Sequence, residues 1–146
     1  MLLGEKKCHT VKALAVSNTQ RLLLYLSECW VGKTHDYRML LEEFPPEEPW
    51  FTKFRLRVDL GFIGIEKDYR CKELFIPHKK PKKKELTPEQ KAENKVLASQ
   101  RIVVEHALAG LKRYRILSDR LRMHNLTIYN VTLGGCAGLW NYYLST

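Results

Sequence analysis

The sequence predicts a mixed α/β domain. Short runs of strand-like alternation fill its first half, one long helix with a complete start signal follows, and an apolar helical tail closes the chain. With 146 residues, 45% of them hydrophobic, the chain can bury a real core, and this composition excludes a largely disordered protein. No internal repeat is visible.

Residues 8–16 alternate loosely and read as a strand. Residues 21–30 (RLLLYLSECW) read as a second strand, and Ser17, Asn18, Thr19 and Gln20 between them make the pair a hairpin. Residues 35–44 (HDYRMLLEEF) read as a short helix, followed by an acidic, proline-rich breaker over residues 42–49. In residues 54–60, Phe54, Leu56, Val58 and Leu60 alternate with Arg55, Arg57 and Asp59. This is a strand with one polar face, ended by Gly61 and Gly64. Residues 74–77 form another short strand, which leads into a basic loop carrying Lys79, Lys80, Lys82, Lys83 and Lys84.

The next helix start is the best marked in the chain. Thr87 can cap it, Pro88 suits the first helical position, and Gln90 at the third completes a capping box. No breaker follows before Gly110, so the helix is expected over residues 88–114. Residues 125–144 are apolar and helical in character, although Gly134, Gly135 and Gly138 lower the propensity.

A net charge of +9 points to a polyanionic partner, most often nucleic acid; the alternative is a merely basic surface. Cys8, Cys29, Cys71 and Cys136 form no CxxC pair. They are therefore expected to be reduced packing residues rather than zinc ligands. No signal stretch opens the sequence. The tail approaches membrane length, but Thr127, Asn130, Thr132 and Asn141 interrupt it, so no membrane partner is expected.

Two acidic residues stand out. On a helical wheel, Asn94, Arg101, Glu105 and Lys112 fall within roughly 40° of one another. Val96, Val103, Val104, Ala107, Leu111 and Tyr114 form a separate apolar arc. Glu105 would then border the buried face between two cations; the alternative is an ordinary surface i,i+4 pair. Asp59 stands immediately before a glycine turn. There it can project into a cleft and ligate Mg²⁺, or it can accept hydrogen bonds from the turn amides. His78 and His106 read as solvated or structural residues.

The runs RVDLGFIG, FIPHKKPKKKELTPEQKAEN and SQRIVVEHALAGLKRYRILSDRLR resemble insertion-sequence transposases of the DDE superfamily. The likeness is to the bacterial group related to Harbinger elements. Glu105, with Arg101 four residues before it and Lys112 seven after, matches the arginine–glutamate–lysine signature of those enzymes. Related groups have a tyrosine where this chain has Ala98. GEKKCHTVK and GKTHDYRML are further segments of the same kind, so the resemblance covers nearly the whole chain.

The resemblance implies a ribonuclease-H-like mixed sheet with flanking helices and three carboxylates that bind two divalent metals, Mg²⁺ or Mn²⁺. It makes Asp59 the second acid and Glu105 the third. Asp36, in the histidine–aspartate segment, is a further candidate ligand, or simply the cap of a helix starting near Tyr37. Arg101 and Lys112 would steer phosphates or position Glu105. The lysine loop, together with Lys112, Arg113, Arg115, Arg120 and Arg122, would follow a DNA backbone with little sequence specificity.

In such enzymes the first acid precedes the GEKKCHTVK-like segment; before its first strand this sequence offers only Glu5, which lies in the lysine-rich lead-in and not at the required position. Residues 1–146 are therefore expected to be a partial catalytic domain without the first catalytic strand or the N-terminal DNA-reading region, and inactive alone. Its partners would be element-end and target DNA, together with an upstream fragment or an intact transposase. The expected place is the cytoplasm, at the nucleoid, with oligomers forming only on DNA. The competing reading is a non-enzymatic, basic DNA-binding remnant that modulates intact transposase.

Overall fold

A computed structural model of the chain describes residues 11–118 and 125–146. In chain order the elements are β1 (Val11–Lys12), β2 (Ala15–Ser17), β3 (Leu23–Leu26), β4 (Trp30–Val31), α1 (Asp36–Glu43), β5 (Arg55–Arg57), α2 (Ile65–Asp68), β6 (Glu73–Phe75), α3 (Pro88–Lys112), α4 (Arg115–Ser118) and α5 (Leu126–Ser145). A 3-10 turn, Leu60–Phe62, lies between β5 and α2. The fold is thus mixed α/β, as the sequence predicts. Among the described residues the strands form three separate two-stranded ladders rather than one larger sheet. The chain divides into two compact units, one from residues 1–34 with 103–146 and the other from residues 35–102.

In the first unit the expected hairpin forms, with β2 antiparallel to β3 and β1 antiparallel to β4. Its turn is an Asx type. The Asn18 carboxamide oxygen accepts from the amides of Gln20 and Leu22, and Arg21 takes the left-handed conformation with φ 68°. The predicted strand pair is broken in the middle because Ser27 intervenes. Its buried hydroxyl accepts from the Leu14 amide at 2.8 Å, which takes the place of a ladder bond. The part of the first expected strand over residues 8–10, including Cys8, lies outside the described residues.

The tail is a helix, α5, capped by Asn125, whose side chain accepts from the amides of Thr127 and Ile128. Tyr129, Leu133, Cys136, Ala137 and Trp140 are buried in one cluster with Ala13, Leu23, Ala107, Leu111 and Leu117. Leu144 packs against that cluster, whereas Tyr143 is 60% exposed. No helix among the described residues is long and apolar enough to cross a membrane.

The tail's asparagines have a structural use that their polarity alone did not reveal. Asn130 accepts from the Cys29 amide at 2.9 Å. Asn141 holds both backbone groups of Leu23, accepting from its amide and donating to its carbonyl, each at 2.8 Å. Asn141→Ala leaves that amide and carbonyl unsatisfied beside the core, and is expected to destabilise the chain by about 1–3 kcal/mol in urea unfolding. An unchanged midpoint would show that water replaces the clamp without loss.

Cys29, Cys71 and Cys136 are free thiols. Burial, followed by the nearby Glu28 carboxylate, pushes the Cys29 thiol up to about 11, and burial alone raises Cys136. Both behave as the packing residues expected from their spacing.

In the second unit, α1 buries Met39 and Leu40. Trp50, Phe44, Phe51 and Tyr69 pack in series, with ring centroids 5.3–5.5 Å apart and tilted or edge-on rings. The acidic, proline-rich breaker therefore folds back as an ordered turn, and the Trp50 indole donates to the Pro45 carbonyl at 2.9 Å.

Strands β5 and β6 pair in parallel, Arg55 opposite Glu73 and Arg57 opposite Phe75. Both are shorter than the periodicity suggests. The predicted strand over residues 54–60 stops at Arg57, and Asp59, still extended in its backbone, caps the 3-10 turn that follows. Its carboxylate accepts from the Gly61 amide at 2.8 Å.

Helix α3 opens as its sequence demands. The Gln90 amide donates to the Thr87 hydroxyl at 3.2 Å, and the Thr87 amide donates to the Gln90 side chain at 3.1 Å. It ends at Lys112 rather than Tyr114, and a separate short helix, α4, follows. Its expected apolar arc is only partly buried. Ala107 and Leu111 are in the core, Val103 and Val104 are half-buried, and Val96 is 56% exposed.

Candidate active site

The site is built on the segment from Asp59 to Tyr69 and on the helix packed beside it. α1 is fastened to that segment near both ends. At its start the Tyr37 hydroxyl donates to the Asp68 carboxylate and lies 3.3 Å from the Gly64 carbonyl oxygen. Desolvation, with that hydrogen bond second, raises the Tyr37 phenol well above its usual value, so it remains a donor. At the other end the Tyr69 hydroxyl donates to the Phe44 carbonyl at 2.6 Å, with the Leu40 carbonyl 3.2 Å away. Burial pushes Tyr69 up to about 12.

Asp36 is the first residue of α1 and is not its cap. That role falls to His35, whose Nδ1 accepts from the Tyr37 amide. The Asp36 carboxylate reaches Gly61 instead. A Cβ placed on Gly61 would stand 2.9 Å from Asp36 Oδ2 and 3.0 Å from Asp59 Oδ1. The two carboxylates thus flank one gap that only a glycine leaves open. Residues 23 positions apart in sequence meet there, a proximity that no spacing pattern in the sequence signals.

Beside Asp59 lies a cavity of about 340 Å³. Arg57, Asp59, Asn94 and Arg101 supply its polar lining; Phe75, Pro77, Leu97 and Ala98 are among its apolar residues. The position of α3 against the β6 exit is set by a latch that sequence reading missed. The Asn94 carboxamide accepts from the His78 amide at 2.7 Å and donates to the His78 carbonyl at 3.0 Å, and the His78 ring meets Glu93 at 2.6 Å. His78 is therefore structural, as expected. The signal available in the sequence was a lone asparagine within the helix's polar stretch.

Arg57 is a residue the sequence did not single out. Its guanidinium lies 4.9 Å from the Phe75 ring centre, and its Nε donates to Gln100 at 3.0 Å.

The other predicted residues are placed as follows. Arg101 is half-buried; Glu105, one turn further along α3, is exposed, as is Lys112. The shielded position expected for Glu105 on the border of the buried face is not observed. The polar stripe rotates outward along the helix because its core contacts concentrate at Ala107, Gly110 and Leu111. Arg113 is also exposed, and its guanidinium lies 5.8 Å from the centre of the Trp140 ring.

Lys79, Lys80, Lys82, Lys83 and Lys84 are all exposed. Glu85 draws in Lys80 at 3.8 Å and Lys91 at 2.8 Å. Glu5, Arg120 and Arg122 lie outside the described residues. Among the described residues no group of three or more histidine, cysteine or acidic side chains is arranged to hold a metal ion.

Comparison with known proteins supplies the family. The chain is 33% identical over 143 residues to a Microchaete diplosiphon protein named "Probable transposase for insertion sequence element IS702". The match takes in 97% of this chain and 49% of that relative, so the chain spans about half its length. No solved structure matches the chain. A family model described as DDE superfamily endonuclease matches residues 1–141, nearly the whole chain, and the chain belongs to that family.

Proposed function

We propose that this chain is part of the catalytic domain of a transposase that cuts and joins DNA by metal-assisted phosphodiester chemistry. The observation that carries the reading is the convergence of Asp36 and Asp59 on Gly61, at the edge of a cavity that Arg101 also lines. Asp59 and Glu105 act as the second and third acids, and Asp36 as a further ligand beside Asp59. The ribonuclease-H-like architecture belongs to the same proposal, supported by the parallel β5–β6 pair and the long α3 that follows it.

The residues at Gly61 fit a divalent cation. Mg²⁺ prefers hard oxygen donors and is commonly held by one or two carboxylates, with water and substrate phosphates filling its remaining positions. Asp36 and Asp59 offer such a pair, and Mn²⁺ suits the same donors. When bound, the ion would supply Lewis-acid polarisation of a phosphate oxygen. The protein's own share is electrostatic. Arg101 neutralises phosphate charge at the cavity, and the lysine loop, with Lys112 and Arg113, attracts the DNA backbone.

Manganese titration followed by electron paramagnetic resonance tests the site directly. The unmodified chain is expected to bind Mn²⁺, and Asp36→Asn or Asp59→Asn each to weaken binding by about tenfold or more. Equal affinity in the doubly substituted chain would overturn the assignment.

DNA binding has a separate signature. Among the described residues no ion pair engages Lys82, Lys83 or Lys84, unlike Lys80. Replacing all three by alanine is expected to lower the slope of log affinity against log salt by roughly 2. An unchanged slope would remove the loop from the interface.

A further inference from the structure

The cavity beside Asp59 has a lining that catalysis of phosphodiester chemistry does not itself require. Val58, Leu60, Phe75, Pro77, Leu97 and Ala98 make most of its wall apolar; away from Arg57 and Arg101 that wall suits a phosphate poorly, because a phosphate would lose its hydration there. Its lining includes Arg57, whose guanidinium lies over the Phe75 ring and whose Nε donates to Gln100. A flat heteroaromatic ring fits such a surface, since arginine and aromatic faces both stack with nucleobases regardless of sequence. About 340 Å³ is at the lower end of the range of small-ligand sites, roughly 300–1,000 Å³. Arg101 adds a charged group to the lining, the Asn94 carboxamide being engaged with the His78 backbone, and Asp59 lines the same cavity.

We propose that this cavity receives one unstacked nucleobase of the DNA strand whose phosphate approaches Asp59. The inference rests on the DNA-cutting reading above and names what that site takes in besides a phosphate. Arg57 and Phe75 form the stacking platform, and Leu97 and Ala98 of α3 line the same cavity. A base drawn into the cavity fixes the register of its neighbouring phosphate against Asp36 and Asp59. The lining holds no set of groups that reads one base edge uniquely, so the pocket accepts any base.

The test compares two single-stranded oligonucleotides of equal length and charge. One is oligothymidine; the other carries abasic tetrahydrofuran units throughout. Binding is measured by fluorescence anisotropy without divalent metal, so that the result does not depend on the metal assignment. The unmodified chain is expected to prefer oligothymidine by about tenfold, the scale of one stacked base.

Ala98→Met fills the cavity from an exposed position on a helix that tolerates methionine. It is expected to abolish the preference while leaving affinity for the abasic strand unchanged. Phe75→Leu, which removes the ring and keeps an apolar side chain, is expected to reduce the preference several-fold. Equal binding of both strands by the unmodified chain, or a preference that survives both substitutions, would overturn the base pocket and leave the DNA reading intact. Failure to bind either strand would overturn both.

Discussion

Gly110→Ala is expected to destabilise the first unit by about 2–3 kcal/mol, against the direction that helix propensity predicts. Alanine inside a helix is ordinarily favoured over glycine by about 1 kcal/mol. Here a Cβ would stand 2.5 Å from three atoms of the Trp140 indole, closer than any van der Waals contact allows. The ring cannot swing away cheaply. Trp140 is buried, its indole donates to the Arg21 carbonyl at 3.1 Å, and it stacks on Tyr143 at 5.9 Å between centroids. Overpacking of this kind typically costs about 1–3 kcal/mol, and loss of the indole hydrogen bond adds to it. Steric conflict therefore outweighs propensity. Urea unfolding of the two chains measures the difference, and Trp140→Leu in the same background should recover much of it through coupling. A Gly110→Ala chain as stable as the parent would mean that α3 and α5 do not approach through this glycine.

Gly61→Ala is expected to do the opposite: little to stability and much to metal affinity. The atoms its Cβ would meet, Asp36 Oδ2 and Asp59 Oδ1, are the tips of two side chains, which can turn aside at small cost. Turning aside separates the carboxylates and disturbs the bond from the Gly61 amide to Asp59. Ligands misplaced in this way are expected to weaken Mn²⁺ binding by about tenfold or more, with a shift in stability of no more than about 1 kcal/mol. Parallel measurement of Mn²⁺ affinity and thermal midpoint separates the two effects. A large drop in stability, or unaltered metal binding, would show that Gly61 serves the turn alone and not the carboxylate pair.

What the sequence by itself determined is local in origin. Thr87, Pro88 and Gln90 specify the start of α3 because a capping box is closed within one helical turn. Asn18 likewise closes the hairpin through amides two and four residues away. The family likeness was legible for the same kind of reason, since it rests on ordered runs around Asp59, Glu105 and Lys112.

Tertiary structure decided the rest. Asp59 belonged equally to a turn or to a metal site in the sequence; in the fold its carboxylate accepts from the turn amide and, with Asp36, borders Gly61. His35 took the capping role that left Asp36 at Gly61. Val96 and Glu105 are exposed because a helical wheel gives angles along α3 but not where its neighbours end. Asn130 and Asn141 acquired their meaning only when α5 met the backbone of Leu23 and Cys29. Capping and periodicity act over three or four residues of chain. Contacts between residues 23 or 118 apart depend on how whole elements pack, and no local pattern encodes that.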